Sequence, residues 1–259
     1  MRTAHHIAFA LLFLASSLAA PVVAQPSVTV RAFADAARMS SDLGSWHGQQ
    51  VSVQHTLSDR VTWNLNLAHH NRFDATGEAQ TLQVHYRADA RWTLGAAFQS
   101  SSRGFFLPER TVEVSARYAL SPVLLDVSVA RLRARDDHRD VRLHAGAAWY
   151  TPIPTLVVQA GAYATHSMPG AVQAAQGYGA IQYGAVGHYH LVARYQQGDE
   201  AYQLLGDDAI LVRFPSRSLS ATWQGWIQPK WGVSLGVTHY RNPFYQRTGA
   251  TAGVFVQWP

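Results

Sequence analysis

Three short motifs carry side chains that could act as a base, a nucleophile or a metal ligand: His166-Ser167, Asp136-x-His138 and His69-His70. A histidine base two residues from a serine nucleophile shares one strand face with it, whereas adjacent residues point to opposite faces. Asp136-x-His138 is one half of a water-activating arrangement whose other half, Asp-x-Asp, does not occur in the chain. The side chains of the adjacent histidines likewise point to opposite faces of a strand. From these three motifs together we expect no catalytic site, no metal site and no cofactor.

A second set of ionisable residues occupies the polar positions of segments that alternate apolar and polar side chains: Arg31, Asp35, Glu113, Arg117, Asp126, Arg142, His144, His190 and Arg194. If these segments close into a barrel, the set points inward and gives the barrel a polar lumen. The charges would then either pair across a filled interior or line a water-filled, mildly cationic path. The cost of burying an unpaired charge favours the first interpretation.

The segments themselves have the period of two that is typical of strands. In VTWNLNLAHH, for example, Val61, Trp63 and Leu65 share one face, and the pattern recurs in TLQVHY, TVEVSARY, VRLHAGAAWY and SLSATW. Charged residues make up 14% of the chain, against about 25% in ordinary soluble domains. Repeated alternating segments of about ten residues with low charge are the signature of a transmembrane β-barrel.

Short turns alternate with longer polar connections, and the longer ones are predicted at 38–45, 70–78, 100–109, 133–140, 166–176, 198–208 and 241–247. This pattern predicts an all-β fold: a single closed antiparallel transmembrane barrel of about fourteen strands with both termini in the periplasm. Pro215 interrupts one alternating segment, and proline cannot donate to a strand ladder. Twelve strands is therefore the alternative.

The N-terminus predicts export from the cytoplasm. Arg2 precedes an apolar stretch at 7–18 and a small-residue cleavage pattern, Val22-Val23-Ala24, which together indicate a signal peptide over 1–24 and a barrel domain over 25–259. The formal net charge of +5 is spread along the chain without a Lys/Arg block. We therefore expect no nucleic-acid partner and assign the charge to the lumen and to lipopolysaccharide-facing positions.

The last residues, TAGVFVQWP, alternate as a strand. An open strand edge in lipid leaves unpaired backbone groups that cost several kcal/mol each, so the last strand is expected to close the barrel against the first. The pattern Thr251-x-Gly253-x-x-Val256-x-Trp258 resembles the C-terminal assembly signal of outer-membrane barrels. The resemblance implies that the barrel assembly machinery reads Gly253, Val256 and Trp258, although the chain ends in Trp258-Pro259 instead of a phenylalanine.

The segments LSATWQGW, WTLGAAF and WGVSLGVTHYRNPFYQRTGATAGVFVQW resemble the YaiO-like family of outer-membrane β-barrel proteins. The resemblance implies residence in the bacterial outer membrane without an established enzymatic site, and it carries no functional residues across. An origin alongside envelope-polysaccharide export machinery is a further hypothesis, although the chain lacks the helical repeat domain that such exporters place before their barrels.

These observations predict an outer-membrane barrel that is structural, a narrow passive channel for small polar or anionic solutes, or associated with envelope polysaccharide. The alternative is an outer-membrane hydrolase acting on lipid or peptide. The expected partners are outer-membrane lipid, lipopolysaccharide and the barrel assembly machinery, and a monomer is one state that fits the sequence.

Overall fold

The computed structural model describes residues 27–40, 45–134, 137–201, 203–205, 208–210 and 213–258. Its strands are β1 (Ser27–Met39), β2 (Ser45–Thr56), β3 (Val61–Arg72), β4 (Ala75–Arg87), β5 (Trp92–Arg103), β6 (Arg110–Leu120), β7 (Val123–Arg133), β8 (Arg139–Tyr150), β9 (Leu156–Met168), β10 (Val172–Ala185), β11 (Tyr189–Glu200), β12 (Gln203–Leu205), β13 (Asp208–Ile210), β14 (Phe214–Gln228), β15 (Trp231–Arg241) and β16 (Gln246–Trp258). Fourteen of them form one closed barrel, while β12 and β13 pair only with each other. The predicted fourteen-stranded antiparallel barrel is confirmed.

The alternation of the sequence becomes an apolar outer wall. On three neighbouring strands Val114 pairs with Val129, and Val129 with Leu143, and all three side chains point out of the barrel. Val114 is 56% exposed. Exposure of an apolar side chain to water is unfavourable, whereas contact with lipid is favourable. Within the described residues, no helix is long and apolar enough to cross a membrane.

The barrel has two different ends. At one end, which we call the turn rim, short connections join β2 to β3, β4 to β5, β6 to β7, β8 to β9, β10 to β11 and β14 to β15. β1 begins and β16 ends at this rim as well, and we call the opposite end the loop rim. In the β4–β5 turn, Asp89 accepts hydrogen bonds from the backbone N–H groups of Arg91 and Trp92 at 2.7 and 2.8 Å. These bonds lower the pKa of Asp89.

Aromatic side chains are exposed on the outside of the turn rim, as expected of rings at a membrane interface: Tyr86, Trp92, Trp149, Tyr189 and Trp258. Trp226 differs, because it packs inward against Phe255 with ring centroids 5.0 Å apart. Its indole nitrogen donates to Oε1 of Gln257 at 2.8 Å.

Two of the predicted long connections are wrong. The strands β3 and β4 continue through most of 70–78 and are joined by a turn at Phe73 and Asp74, with φ of 54° and 58°. Likewise β9 and β10 extend into 166–176, leaving a connection of 169–171. Polar residues near these turns looked like loop residues, but they continue the strands beyond the apolar wall.

The proline that left twelve strands open does not divide a strand. Pro215 is the second residue of β14 and lies opposite Asp199 near the end of β11. At this position, next to the loop rim, the missing backbone N–H disturbs only the end of the ladder.

Closure follows the predicted pairing of the last strand with the first. β1 and β16 pair from Val28 opposite Trp258 to Met39 opposite Arg247. Of the predicted assembly signal, Gly253 faces inward beneath Phe33, while Val256 and Trp258 lie on the outward face.

We expect Trp258→Ser to lower the amount of membrane-inserted barrel several-fold, because the change removes an interfacial ring at the closing seam. The measurement is the heat-modifiable band in isolated membranes. Trp92→Ser is the matched control, since Trp92 is also an outward tryptophan of the turn rim but lies away from the seam. Equal levels for the two variants would contradict a role of Trp258 in assembly.

Candidate functional site

An apolar cluster occupies part of the barrel interior at the loop rim. We call it the aromatic plug, and its buried members are Met39, Trp46, Phe73, Phe106, Leu107, Tyr240 and Tyr245. Phe106 and Leu107 belong to the β5–β6 connection, which folds back over the rim, and Phe106 is only 1% exposed. Gly104, with φ of 67°, and Gly77 permit this close approach, since a Cβ on Gly77 would lie 2.7 Å from a Leu107 methyl group.

Two inward arginines pack against Trp46 of the plug. The guanidinium carbons of Arg72 and Arg247 each lie 4.8 Å from the Trp46 ring centroid. Stacking of this kind contributes about 0.5–2 kcal/mol per contact. Asp35 interacts electrostatically with both arginines, so a carboxylate balances part of their charge.

A cavity of about 470 Å³ runs through the rest of the interior. Its lining extends from Leu124 and Gln224 near the turn rim to Asp140 and Glu200 near the loop rim. The inward face of β14 contributes small or hydrogen-bonding side chains to the wall: Ser216, Ser218, Ser220, Thr222 and Gln224. Because the serine and threonine side chains are short, space remains along the barrel axis.

A chain of hydrogen-bonding groups lies on the neighbouring part of the wall, on β7, β8 and β10. Nδ1 of His144 lies 3.0 Å from Oδ2 of Asp126, and Nε2 lies 3.1 Å from the hydroxyl oxygen of Tyr178. The carboxylate favours the tautomer whose Nδ1–H donates to it, which leaves Nε2 to accept from the tyrosine hydroxyl. Asp126 thereby orients an imidazole in the lumen wall.

Two glycines make room for this arrangement. Asp126, Gly146, Gly161 and Tyr178 follow one another across β7 to β10 in a single row of cross-strand partners. A Cβ on Gly161 would lie 2.7 Å from the Tyr178 hydroxyl oxygen, and one on Gly146 would lie 2.9 Å from it. The Tyr178 ring therefore lies flat along the wall, which brings its hydroxyl to His144.

Arg194 extends the cluster toward the hydroxyl-lined wall. Its guanidinium carbon lies 3.8 Å from the Tyr178 ring centroid, and Nη2 donates to the hydroxyl of Tyr163 at 3.0 Å. The same nitrogen donates to Oε1 of Gln196 at 3.2 Å. Gln196 then donates to Gln176 at 2.9 Å. Together with Asp126 and His144, side chains from five strands, β7 to β11, form one network facing the cavity.

The register places all nine predicted lumen residues on the inward face. Eight line the cavity: Arg31, Asp35, Arg117, Asp126, Arg142, His144, His190 and Arg194. Glu113 is also inward, and Arg142, His144 and Arg117 act on it electrostatically. Arg117 lies directly opposite Asp126. Residues of opposite charge and open space thus occur in the same interior.

The residues of the three chemical motifs stay apart. Ser167 is buried inside while His166 belongs to the outward face, and His70 points inward while His69 is exposed outside 3.9 Å from Glu78. His138 is buried with its Nε2 2.8 Å from Oδ1 of Asp140, and Asp136 lies outside the described residues. In the part of the chain that the structure describes, no group of three His, Asp or Glu side chains is arranged to hold a metal ion.

Sequence reasoning missed Tyr163 and Tyr178, which complete the cluster. Both lie at polar-side positions of alternating segments, AGAYATHS and QGYGAIQY, and this position was the available signal. The register places Tyr178 opposite Gly161 and Tyr163 opposite His144. The aromatic plug was missed as well, because its members come from six separate connections and strand ends.

The family comparison covers most of the chain. A family model described as the YaiO membrane beta barrel domain matches residues 28–203. No curated protein matches the chain at a significant level.

Solved outer-membrane barrels share the fold at low identity. The CymD monoaromatic hydrocarbon channel has a TM-score of 0.56 and 9% identity, over 90% of this chain and 87% of the channel. An outer membrane channel from Pseudomonas putida F1 has a TM-score of 0.54 and 13% identity, over 93% of this chain and 97% of the channel. The anion-selective porin from Comamonas acidovorans has a TM-score of 0.51 and 8% identity, over 90% of this chain and 100% of the porin.

Proposed function

This chain belongs to the YaiO membrane β-barrel family and resides in the bacterial outer membrane, and from that premise we propose that it is a narrow passive channel for small polar and anionic solutes. The observation that supports this function is the cavity of about 470 Å³ that runs along the barrel axis. A purely structural barrel would gain stability by filling this space with side chains.

The chemistry of the cavity wall favours polar and anionic solutes. Arg31, Arg117, Arg142 and Arg194 are distributed along the wall, so an anion would meet a cation at several depths. Hydroxyl and amide groups between the arginines can replace the water of a permeating solute. The aromatic plug beside the cavity keeps the path narrow. Channels and an anion-selective porin are among the proteins with the same fold.

Planar-bilayer conductance of the purified protein tests this function. We expect small single-channel currents in potassium chloride and, under a salt gradient, a reversal potential that indicates preference for chloride. An absence of channel activity from a heat-modifiable, folded preparation would contradict the proposal.

We expect Arg194→Gln to lower the chloride-to-potassium permeability ratio by about two- to fivefold, because it removes one lumen charge from a region of low dielectric. Glutamine keeps a hydrogen-bond donor for the network. Arg217→Gln is the matched control, since Arg217 is an exposed arginine on the outward face of β14. Equal selectivity changes in both variants would assign the effect to overall charge and not to the lumen.

One observation favours the second candidate function, a hydrolase acting on lipid or peptide. Asp126 lies against Nδ1 of His144, and Nε2 of the same imidazole lies 3.1 Å from the Tyr178 hydroxyl oxygen, which is the order of groups that activates a nucleophile. Release of acyl chains or peptides by a non-conducting preparation, and its loss in His144→Gln, would support this candidate in place of the channel.

A further inference from the structure

Four arginines form a compact group on the outside of the barrel at the loop rim. Arg110, Arg133 and Arg139 are direct cross-strand partners on β6, β7 and β8, and Arg131 lies one outward position closer to the membrane. All four side chains are exposed. We call Arg110, Arg131, Arg133 and Arg139 the arginine patch.

The patch lies directly above the apolar wall. Arg131 has Val112 and Val141 as its cross-strand partners, and the next outward row is Val114, Val129 and Leu143. From Trp149 to Val141, β8 carries only apolar outward side chains, and eight steps of about 3.3 Å span about 26 Å along the strand. A tilted strand of this length crosses most of an apolar layer of about 25 Å. The arginine patch therefore lies at the height of lipid headgroups.

The protein itself balances only part of this charge. Glu109 lies 4.0 Å from Nε of Arg110 and 3.7 Å from Nε of Arg133, and Asp137 lies 3.9 Å from Nη2 of Arg133. Among the described residues, no carboxylate lies within ion-pair distance of Arg131 or Arg139. Like charges directly opposite each other in a sheet are destabilising, and this row places three of them side by side.

We propose that the arginine patch binds the phosphate groups of a phosphorylated glycolipid of the outer leaflet, with the acyl chains of that lipid lying on the valine and leucine rows below. The planar guanidinium group donates two parallel hydrogen bonds to a phosphate, which makes arginine well suited to this ligand. One lipid would contact both the patch and the apolar rows, because its phosphates and acyl chains belong to one molecule and the two parts of the surface are adjacent. This assignment places the loop rim at the outer face of the membrane.

The test is binding of bisphosphorylated lipid A to the purified barrel in detergent, measured by native mass spectrometry and by titration. We expect R131Q/R133Q/R139Q to weaken binding by about tenfold or more, since three charge-assisted contacts are lost. The matched control, R60Q/R91Q/K230Q, removes the same charge from exposed positions at the turn rim and should bind as the wild type does. Arg→Lys changes at the same three patch positions should restore part of the affinity.

Further arms distinguish the lipid from free phosphate. Dephosphorylated lipid A should bind the wild type weakly, and millimolar inorganic phosphate should compete only partly with lipid A. Inorganic phosphate that binds as tightly as lipid A would overturn the lipid assignment, as would equal binding of dephosphorylated lipid A. If the triple variant loses its heat-modifiable form, Arg131→Gln alone is measured. Wild-type affinity in a folded patch variant overturns the proposal, whatever the conductance of the barrel.

Discussion

Replacing Phe106 and Leu107 together by serine is expected to raise the single-channel conductance about two- to fivefold, because an apolar constriction limits conduction and its removal widens the wetted path. Both side chains are buried in the aromatic plug, and truncating a buried phenylalanine costs about 3–5 kcal/mol. The connection 104–109 is held over the rim by these contacts, whereas the barrel ladder does not depend on them. The connection should therefore undock while the barrel stays closed.

The measurement is conductance in planar bilayers together with the heat-modifiable gel shift. Ile153→Ser is the matched control, since Ile153 is an exposed apolar residue in the β8–β9 turn at the opposite rim. Unchanged conductance in a folded F106S/L107S variant would show that the aromatic plug is not the constriction.

Gly253→Ala is expected to destabilise the closed barrel by about 1–3 kcal/mol through overpacking at the seam. A methyl group at this position would meet the Phe33 ring and lie 2.5 Å from the backbone oxygen of Ala32. The Phe33 ring can turn, but the oxygen belongs to the ladder between β1 and β16, so the two strands must move apart. Every ladder bond lost in lipid is costly because no water replaces it.

Gly236→Ala provides the comparison for this change. Gly236 faces inward on the neighbouring strand β15, and a Cβ there would make only ordinary contacts of 3.6 Å. We expect a lower unfolding midpoint in urea and less heat-modifiable barrel for Gly253→Ala, with Gly236→Ala close to the wild type. The same midpoint for both variants would mean that the seam accommodates the methyl group.

The inward position of the nine predicted lumen residues could be read from the sequence, because side chains alternate along any strand. Whether their side chains contact one another could not be read from the sequence. Asp126, His144 and Tyr178 lie on three different strands, and their contacts depend on the stagger between strands and on the absence of side chains at Gly146 and Gly161. Neither property is encoded in a local pattern.

The tight turn between β3 and β4 at the loop rim could not be predicted from the sequence either. Phe73 has a φ of 54°, which is uncommon for a residue with a side chain. It adopts this conformation in a two-residue turn whose geometry suits paired strands, while its ring packs against Trp46 with centroids 5.0 Å apart. Long-range packing thus selects a turn that the residues His70 to Glu78 do not favour by themselves.

The sequence by itself determined the barrel, the inward face of each strand and the pairing of the last strand with the first, and it left fourteen or twelve as the number of strands. These properties follow from a period-two pattern and from the need to satisfy every backbone group in lipid. Only the tertiary structure decided the aromatic plug, the Asp126–His144–Tyr178 chain and the arginine patch. Each depends on side chains from several strands, and the register that brings them together is set by the closure of the whole barrel.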